Sequence, residues 1–513
     1  MIFMIYKLKC SQPVSCKILL KMVDCENQTL DKLVQQTTTE NLSEQNNNEG
    51  VKPKSDTLFL YFTAFTAIIV VVGGSCHLVW LSPVVPKLQS NDTDINPLSR
   101  PVTTIETSLL AGFPYLVGLL GSIFVGKLSD IIGRKRTMLY VAVLILISNI
   151  IIALSSDVYV YIFARCIIFV MFSACLVLVP MYLLEICEDH NRAKFGSLMG
   201  LAMPIGNLYT YVFGSLVSSV QLLTFLCGLP IIPFLIIFSL FAPESPVYLA
   251  SKGKLTLAMQ ALEKLRKNKS PQEIEKECEK IHKSIKVKLT EERVGLGTLF
   301  RHRVSRKTLF LALIPIVVQH LSGVTVIMQF LAPIFNEADT YLSGNTISII
   351  AGIIKMTIIL TTAMKVERFG RRPLLIMSTF GSGIALFFMG LFFYWKHFNW
   401  IYIDKVMWLP ILCLICNLIM YSIGMGPISL AVVTELFPGH TRAIGMSFVV
   451  TLSQITIFLL NFLFPIIVAE FGIYCCVWFF SFCCFIGSYF IYRFIPETRG
   501  KSIVEIQEII ENI

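Results

Sequence analysis

The sequence predicts an all-α membrane protein in which twelve transmembrane helices form two pseudo-symmetric six-helix bundles. The first observation is composition, since 55% of the 513 residues are hydrophobic and 15% are charged, with a mean hydropathy of +0.71. Soluble proteins are typically about 45–50% apolar and about 25% charged. The second is a series of apolar stretches near the roughly 20 residues that span a bilayer. The third is a set of charged motifs that recurs in both halves of the chain.

The apolar stretches give twelve candidate helices, which we number 1 to 12 in chain order. They lie near residues 57–81, 107–128, 137–155, 158–184, 195–219, 222–242, 308–334, 343–364, 373–395, 407–434, 443–468 and 472–494. The polar residues before the first stretch, rich in Gln, Asn, Thr and Glu, predict a disordered tail. No cleavable signal is expected there, because its short apolar runs are interrupted by lysines.

Three charged landmarks recur in the loops that join these helices. Gly133-Arg134 corresponds to Gly370-Arg371, Glu185 with Arg192 corresponds to Glu435 with Arg442, and Pro243-Glu244 corresponds to Pro496-Glu497. The offsets are 237, 250 and 253 residues, so each half repeats the same order of helices and motifs. Two parallel six-helix repeats around a central site are typical of alternating-access transporters.

Loop charge predicts the orientation in the membrane. Basic residues concentrate in the loops after helices 2, 4, 6, 8, 10 and 12, which places those loops and both termini in the cytoplasm. The long loop 83–106 then lies outside, where Asn91-Asp92-Thr93 is a candidate glycosylation site. The predicted parts are a cytoplasmic tail (1–56), an N-terminal bundle (57–250), a cytoplasmic helical insertion (251–306), a C-terminal bundle (307–496) and a cytoplasmic C-terminal tail (497–513).

The insertion between helices 6 and 7 carries 15 Lys/Arg against 7 Asp/Glu. Ser270, Pro271 and Glu273 predict a helix start, with serine as N-cap, proline at the first position and glutamate closing a capping box. We expect short amphipathic helices, whose basic residues form either a solvated face or a surface for lipid headgroups.

Several functional classes are disfavoured. The net charge of +10 does not indicate nucleic-acid binding, because the basic residues lie between apolar runs. The 15 cysteines show no paired spacing, so we expect neither disulfides nor a metal site. No catalytic triad or phosphate loop is evident, so neither an enzyme nor a cofactor is expected. The expected partners are a small-molecule substrate and the lipid bilayer, and the sequence identifies no protein partner.

A series of motifs resembles the sugar transporter family of the major facilitator superfamily. In chain order they are GKLSDIIGRKR (126–136), PMYLLE (180–185), PESP (243–246), QHLSG (319–323), ERFGRRPLL (367–375), GMGP (424–427), ELFP (435–438) and PETRGKS (496–502). The resemblance covers about residues 57–507 and implies the major facilitator fold. Within the family, SPVVPKL (82–88) and ELFP look most like the insect facilitated trehalose and hexose transporters.

The resemblance implies a cytoplasmic gate made of ion pairs between the two bundles. The N-terminal bundle supplies Asp130, Arg134, Glu185, Arg192 and Glu244, and the C-terminal bundle supplies Glu367, Arg371, Glu435, Arg442 and Glu497. Pairs between the bundles would close the cytoplasmic side, and opening inward would break them. The alternative is that these charges only fix the topology.

The resemblance also indicates a substrate site with several departures from the family pattern. The candidate binding residues are Gln319, His320, Thr325, Lys355, Ser422 and Gly426. Positions where the family carries other residues are Phe169, Met171, Ser173, Gly200, Leu430, Ser453 and Gln454. The usual sugar-binding set is therefore eroded, although the motifs of the fold are intact.

Lys355 differs most in its chemistry from the family pattern, since the family has an asparagine at this position. It precedes Glu367 by twelve residues, or about 18 Å of helix, which places it near mid-bilayer, facing the cavity. It either contacts the substrate and favours an anion, or it is held by polar groups of helix 7 or 10, such as Ser422.

Related proton symporters pair an Asp of helix 1 with an Arg of helix 4. Here Arg165 is present but the Asp position is Leu81, which favours a facilitator.

The resulting prediction is a facilitative transporter of a hexose or trehalose at the plasma membrane, working by alternating access. One alternative keeps the fold but assigns another small solute, which Lys355 suggests is anionic. A second alternative is a sugar sensor with little flux.

Overall fold

The computed structural model describes residues 57–290, 296–301, 303–363, 370–501 and 503–512. The membrane helices of the first half are Leu58–Leu88, Thr104–Ile132, Arg134–Leu154, Val158–Ile186, Asp189–Leu216 and Val220–Phe241. Those of the second half are Arg303–Gln329, Gly344–Ala363, Arg371–His397, Ile403–Leu436, Gly439–Phe471 and Ile473–Phe494. Every candidate helix of the sequence analysis is therefore present, with ends shifted by a few residues.

Helix 5 differs from the other membrane helices in its polarity. Eleven helices of the described residues are long and apolar enough to cross a membrane by their own composition. Helix 5 (Asp189–Leu216) is 28 residues long but falls outside that set. Its sequence contains Asn207 and Thr210 within an otherwise apolar stretch, and both side chains are buried. Its polar groups are accommodated by contacts with helix 1, which runs beside it.

Helix 1 and helix 5 are joined by hydrogen bonds through the depth of the membrane. The Thr210 hydroxyl donates to the Cys76 carbonyl (3.1 Å), where helix 1 is interrupted by a short 3₁₀ turn. Closer to the end of both helices, the Lys87 ammonium donates to the carbonyl of Gly214 (3.0 Å) and to that of Val217. Each of these bonds pairs a group that lipid could not satisfy.

Helix 7 and helix 10 are each broken in mid-membrane at a glycine. In helix 7 the break falls at Gly323, which has φ +71°, between Leu321 and Val324. A Cβ there would lie 2.2 Å from Phe480, so both the conformation and the close packing require glycine. In helix 10 the break falls at Gly424. Irregular backbone is tolerated at this depth only where it is buried in protein or lines a cavity.

The two halves of the chain meet through two helix crossings. Helix 2 packs on helix 11, where a Cβ at Gly112 would lie 2.7 Å from the Cβ of Phe462. Helix 8 packs on helix 5, where a Cβ at Gly352 would lie 3.1 Å from Leu208 and 3.3 Å from Tyr211. Small residues at such crossings let membrane helices approach closely.

The insertion between helices 6 and 7 forms helices Pro246–Ser251, Leu255–Leu265, Pro271–Thr290 and Leu296–Arg301. The predicted helix start is confirmed: the Ser270 hydroxyl accepts from the Glu273 amide (3.4 Å), and the Glu273 carboxylate accepts from the Ser270 amide (2.9 Å).

The helix Ile503–Asn512 follows helix 12 in the segment that the sequence predicts only as a tail. It buries Ile506 and Ile510 and receives a hydrogen bond at the Glu511 carbonyl from Lys307 (3.0 Å).

Candidate functional site

The charged landmarks lie at one end of the helices, which we call the motif face. It carries the loops after helices 2, 4, 6, 8 and 10, and the other end is called the opposite face. At the motif face, the Glu244 carboxylate accepts hydrogen bonds from the backbone amides of Arg134 (2.8 Å) and Lys135 (3.0 Å) at the start of helix 3. A carboxylate at a helix N-terminus satisfies free amides and favours the helix dipole. Gly133 (φ +103°) permits this approach, because a Cβ there would lie 2.4 Å from Glu244.

The second half repeats this arrangement at the start of helix 9. The Glu497 carboxylate accepts from the amides of Arg371 (2.9 Å), Arg372 (3.1 Å) and Arg499 (3.1 Å). Partial burial acts to raise the pKa of the Glu497 carboxyl, but these backbone donors outweigh it and hold the pKa below its usual range. The paired landmarks are thus carboxylate caps that fix helices 3 and 9.

The other charges of the motif face form ion pairs inside each bundle. Arg134 contacts Glu185 (3.0 Å) and Asp130 (3.0 Å), and the Arg134 and Glu185 side chains are only 10% and 14% exposed. In the second half Arg371 contacts Glu435 (3.6 Å). The Arg442 guanidinium donates to the Phe437 carbonyl (3.3 Å). Arg192 lies in helix 5 at this face, and Glu367 lies outside the described residues.

A second cluster ties the insertion to the loop between helices 4 and 5. Arg266, whose side chain is 2% exposed, contacts Glu188 (2.9 Å) and Glu277 (3.4 Å). Lys269 contacts Glu277 (2.9 Å) and also Glu188. The start of helix 1 joins this cluster, because the Thr57 hydroxyl donates to the Leu265 carbonyl (2.9 Å). This set of contacts was not anticipated from the sequence.

The breaks of helices 7 and 10 border a cavity between the two halves. The break in helix 10 is stabilised by Ser378, whose hydroxyl donates to the Met420 carbonyl (2.7 Å) and accepts from the Met425 amide (2.9 Å). The cavity has a volume of about 530 Å³, within the usual range of about 300–1,000 Å³ for small-molecule sites. It is lined by residues of helices 1, 2, 4, 5, 7, 8, 10 and 11.

The six candidate binding residues of the sequence analysis all line this cavity. They are Gln319, His320, Thr325, Lys355, Ser422 and Gly426. Of the positions that depart from the family pattern, the structure also brings Phe169, Ser173, Gly200, Ser453 and Gln454 to the cavity. The lining therefore combines amide, hydroxyl and aromatic groups, which are the groups that bind hydroxyls and apolar ring faces of small solutes.

The polar groups of the lining are only partly engaged with one another. The Gln319 amide donates to the Tyr421 hydroxyl (3.0 Å). The Ser422 hydroxyl and the Nδ1 atom of His320 are buried without a hydrogen-bond partner in the described residues. Lys355 makes no hydrogen bond or ion pair with any described residue, and the Ser422 hydroxyl, which one alternative of the sequence analysis assigned to it, has no partner there. Unpaired buried groups of this kind are costly unless a ligand or water completes them.

Hydrogen bonds between the halves close the cavity toward the opposite face. The Tyr211 hydroxyl of helix 5 donates to the Met328 carbonyl of helix 7 (2.7 Å). The fully buried Gln329 donates to the Ala111 carbonyl of helix 2 (3.3 Å) and accepts from the Tyr115 hydroxyl (3.4 Å). These hydrogen bonds join helix 7 of the second bundle to helices 5 and 2 of the first.

Further toward the opposite face, Ser82 of helix 1 bridges to the second half. Its hydroxyl accepts from the Ala332 amide (2.9 Å), just after the broken part of helix 7. It also lies 3.4 Å from the Ser348 hydroxyl of helix 8. On the aqueous side of this bridge, the sequon residue Asn91 is exposed in the loop after helix 1.

Arg165 of helix 4 is buried beside the cavity without a carboxylate partner in the described residues. Its guanidinium donates to the carbonyls of Leu110 (3.3 Å) and His77 (3.4 Å). It lies over the rings of Trp80 (4.9 Å) and Phe169 (5.4 Å). Carbonyl oxygens and aromatic faces therefore compensate its charge.

Sequence reasoning missed some residues of the site. Tyr115 and Tyr421 line the cavity, and Tyr211 and Gln329 close it. Each lies in an apolar stretch, so hydropathy gave no reason to select them. The sequence signal that could have identified them is a polar or aromatic residue at the same membrane depth as the breaks at Gly323 and Gly424, because a polar group there needs a partner in the membrane.

Comparisons with known proteins agree with this architecture. A family model described as "Sugar (and other) transporter" matches residues 33–510. The chain is 29% identical over 464 residues to the facilitated trehalose transporter Tret1 of Polypedilum vanderplanki, covering 90% of each chain. It is 28% identical to Tret1 of Drosophila willistoni over 90% of its own length and spans about half (52%) of that relative.

Solved structures show the same fold. The xylose transporter XylE from E. coli in an inward-open conformation superposes with a TM-score of 0.71 at 20% identity, covering 88% of this chain and 99% of that one. A D-xylose-proton symporter gives 0.67 at 21% identity, covering 86% and 99%. With a family model that matches most of the chain and a fold of two six-helix bundles around a polar cavity, the protein belongs to the sugar (and other) transporter family.

Proposed function

We propose that this protein is a facilitative transporter that moves a sugar, trehalose or a hexose, across the plasma membrane by alternating access. The observation that carries the proposal is the cavity of about 530 Å³ between the two halves, which both halves line and which is closed toward one face. Amide groups of Gln319 and Gln454 and hydroxyls of Ser422 and Ser453 are available to a polyhydroxylated ligand. The name of the Polypedilum relative supports trehalose as one candidate.

The motif face is the cytoplasmic face in this proposal, because it carries the basic loops. The ion pairs that the structure describes there, such as Arg134 with Glu185 and Arg371 with Glu435, lie within a bundle. The hydrogen bonds between bundles lie toward the opposite face, for example Tyr211 to Met328. Both observations support a state closed to the outside, in which gate contacts between bundles are released. We propose that the outward-open state forms pairs between the bundles from the same charged residues.

The environment of Arg165 supports facilitation over proton symport. A coupled proton site needs a group that exchanges a proton near the arginine, and Leu81 occupies the position of the symporters' aspartate. The titratable side chain next to Arg165, His77, is fully buried and is held by Asn149 (2.9 Å). The Arg165 guanidinium is instead engaged by two backbone carbonyls and two aromatic rings. The substrate gradient alone then drives transport.

The test is uptake of labelled trehalose and labelled glucose into proteoliposomes containing the full chain. We expect saturable uptake that stops when the internal and external concentrations are equal. The plateau should stay the same when a pH gradient is imposed. Accumulation above the external concentration only with a pH gradient would identify a symporter. Binding of sugar without flux would favour the sensor.

The contribution of the cavity is tested with a matched pair of variants. Gln319→Leu removes a lining amide that bonds to Tyr421. Gln507→Leu removes an amide from the C-terminal helix outside the cavity, where it donates to the Leu436 carbonyl (2.7 Å). The first should weaken sugar uptake about tenfold, since unpaired substrate hydroxyls cost on the order of 1–2 kcal/mol, and the second should leave the affinity for sugar unchanged.

A further inference from the structure

Lys355 presents a positive charge to the cavity that nothing in the described chain neutralises. It lines the cavity from helix 8 with a partly exposed side chain and makes no hydrogen bond or ion pair with a described residue. It lies eleven residues after Gly344, where helix 8 begins, so about 16 Å of helix separates it from the opposite face. That distance is near the middle of a hydrocarbon core of about 30 Å, where an unpaired ammonium is costly and is retained for function.

The position of Lys355 on helix 8 directs it toward the other half of the molecule. Gly352 packs against Leu208 and Tyr211 of helix 5. Residues three apart share a helix face, so Lys355 lies on the same side as Gly352, one turn nearer the motif face. The facing part of helix 5 lines the cavity with Gly200 and Pro204. A ligand bound to Lys355 would therefore contact both halves.

The rest of the cavity supplies no negative charge. Its lining contains no Asp or Glu, and apart from Lys355 its titratable side chains are His320 and the tyrosines. Helix 5 leaves room for a ligand at Gly200, because no atom lies within 4 Å of a Cβ built there. The pocket thus combines uncharged hydrogen-bonding groups with one ammonium and free space opposite it.

We propose that this site takes an acidic sugar, a hexose derivative that carries one carboxylate, with the carboxylate bound by Lys355. This inference rests on the proposed function and narrows its substrate class. The Gln319 and Gln454 amides then bind hydroxyls, as they would for a neutral sugar. The ammonium gains a partner when the ligand binds, which offsets the cost of holding it in the membrane.

A carboxylate fits better than a phosphate ester on grounds of charge. The one ammonium of the lining and one carboxylate sum to zero, and the guanidinium of Arg165 beside the cavity is already engaged by two carbonyls and two aromatic rings. A phosphate ester carries about −1.5 to −2 charges at pH 7, which would leave an uncompensated negative charge in a medium where isolated ions are strongly disfavoured. The described lining has no arginine and no second lysine to balance it.

The primary test measures competition in wild-type proteoliposomes. Uptake of labelled glucose is followed with unlabelled glucuronate, glucose or lactate added at equal concentration, and labelled glucuronate is measured directly. We expect glucuronate to be transported with a kcat/KM at least tenfold above that of glucose, a difference of about 1.4 kcal/mol. Lactate, which has the carboxylate without the sugar hydroxyls, should compete weakly.

Charge movement gives a second readout. A transported monovalent anion distributes with the membrane potential, by about tenfold in concentration for each 60 mV, since 100 mV is worth about 2.3 kcal/mol per charge. The plateau of glucuronate should follow an imposed potential, whereas the plateau of glucose should not. Equal response of both sugars would contradict transport of the carboxylate form.

Three variants assign the effect to Lys355. Lys355→Asn should lower the ratio of the kcat/KM for glucuronate to that for glucose at least tenfold. Lys355→Arg should retain the preference for the acid. Lys127→Asn, an exposed lysine of helix 2 outside the cavity, is the matched control and should change neither.

The outcomes separate this inference from the proposed function. Transport of glucose without competition from glucuronate would overturn the acidic-sugar assignment and leave sugar transport standing. A Lys355→Asn variant that loses both sugars equally would also overturn it. Transport of lactate alone, or of none of these solutes and none of labelled trehalose, would overturn the sugar proposal itself. The competition experiment on the wild type tests the acidic-sugar assignment even if a variant fails to fold.

Discussion

The carboxylate cap at the start of helix 9 leads to a prediction with a measurable size. Replacing Glu497 with Gln keeps the shape but removes the charge that accepts three backbone N–H bonds, from Arg371, Arg372 and Arg499. Bonds to a charged acceptor are worth about 1 kcal/mol more than neutral ones, and the helix dipole adds about 0.3–1 kcal/mol. Because the carboxylate is only partly buried, solvent screening reduces the sum, and we expect a loss of about 1–2 kcal/mol.

The pH dependence of this loss has a definite sign. The pKa of Glu497 is below its usual range in the folded protein, so the charged form contributes stability at neutral pH. That contribution persists down to the ordinary glutamate value of about 4.3 and is lost as the pH falls through the lower pKa of the folded state. The difference between the wild type and Glu497→Gln should therefore shrink on acidification below that value.

The assay is the apparent Tm of purified protein in detergent, measured from about pH 2.5 to pH 8 so that it covers the range below the ordinary glutamate pKa. For a unit the size of one six-helix half, about 1–2 kcal/mol corresponds to a fall of roughly 2–8 °C. Glu508→Gln is the control, because Glu508 is an exposed residue of the C-terminal helix with no described hydrogen bond or ion pair. Equal Tm values for the two variants at pH 7 would refute the assignment of Glu497 as a structural cap.

Further predictions concern packing, closure and the insertion. Gly121→Ala should lower the Tm by several degrees, because its Cβ would lie 1.9 Å from the Val170 carbonyl oxygen, whereas Gly126→Ala on the same helix has nothing within 4 Å and should be neutral. Tyr211→Phe removes a hydrogen bond between the halves, worth about 1 kcal/mol, and should speed hydrogen exchange in residues 324–332 about fivefold. Arg266→Leu removes the buried partner of two carboxylates that Lys269 still contacts, and it should cost about 2 kcal/mol, seen as early proteolysis of the insertion.

Much of the fold could be predicted because its signals are local. All membrane helices except helix 5 are marked by about 20 apolar residues, and the helix start at Ser270 is marked by three residue types in a fixed spacing. The repeat of landmarks showed that the halves are equivalent without any knowledge of their packing. The candidate binding residues were chosen by resemblance and by depth along a helix, and depth is fixed by the rise per residue.

Other features depend on contacts between segments that are distant in the chain. Glu244 and Glu497 each bind amides more than 100 residues away, and their role as caps follows from where helices 3 and 9 begin. The Arg266 cluster joins the insertion to the loop between helices 4 and 5, and no local pattern indicates that pairing. The C-terminal helix has a periodic apolar face, at Ile506 and Ile510. Because the segment after helix 12 is short, the sequence analysis assigns it as a tail.

The polarity of helix 5 has a consequence for how the protein enters the membrane during synthesis. A segment that inserts by itself must be apolar along its whole length, and helix 5 falls short of that standard. The groups that need a partner, at Thr210 and at the carbonyls of Gly214 and Val217, find one on helix 1, more than 120 residues earlier in the chain. We therefore expect helix 1 to be still at the insertion site when helix 5 emerges from the ribosome. Disruption of the contacts of helix 1 should leave helix 5 exposed to quality control before any substrate could be carried.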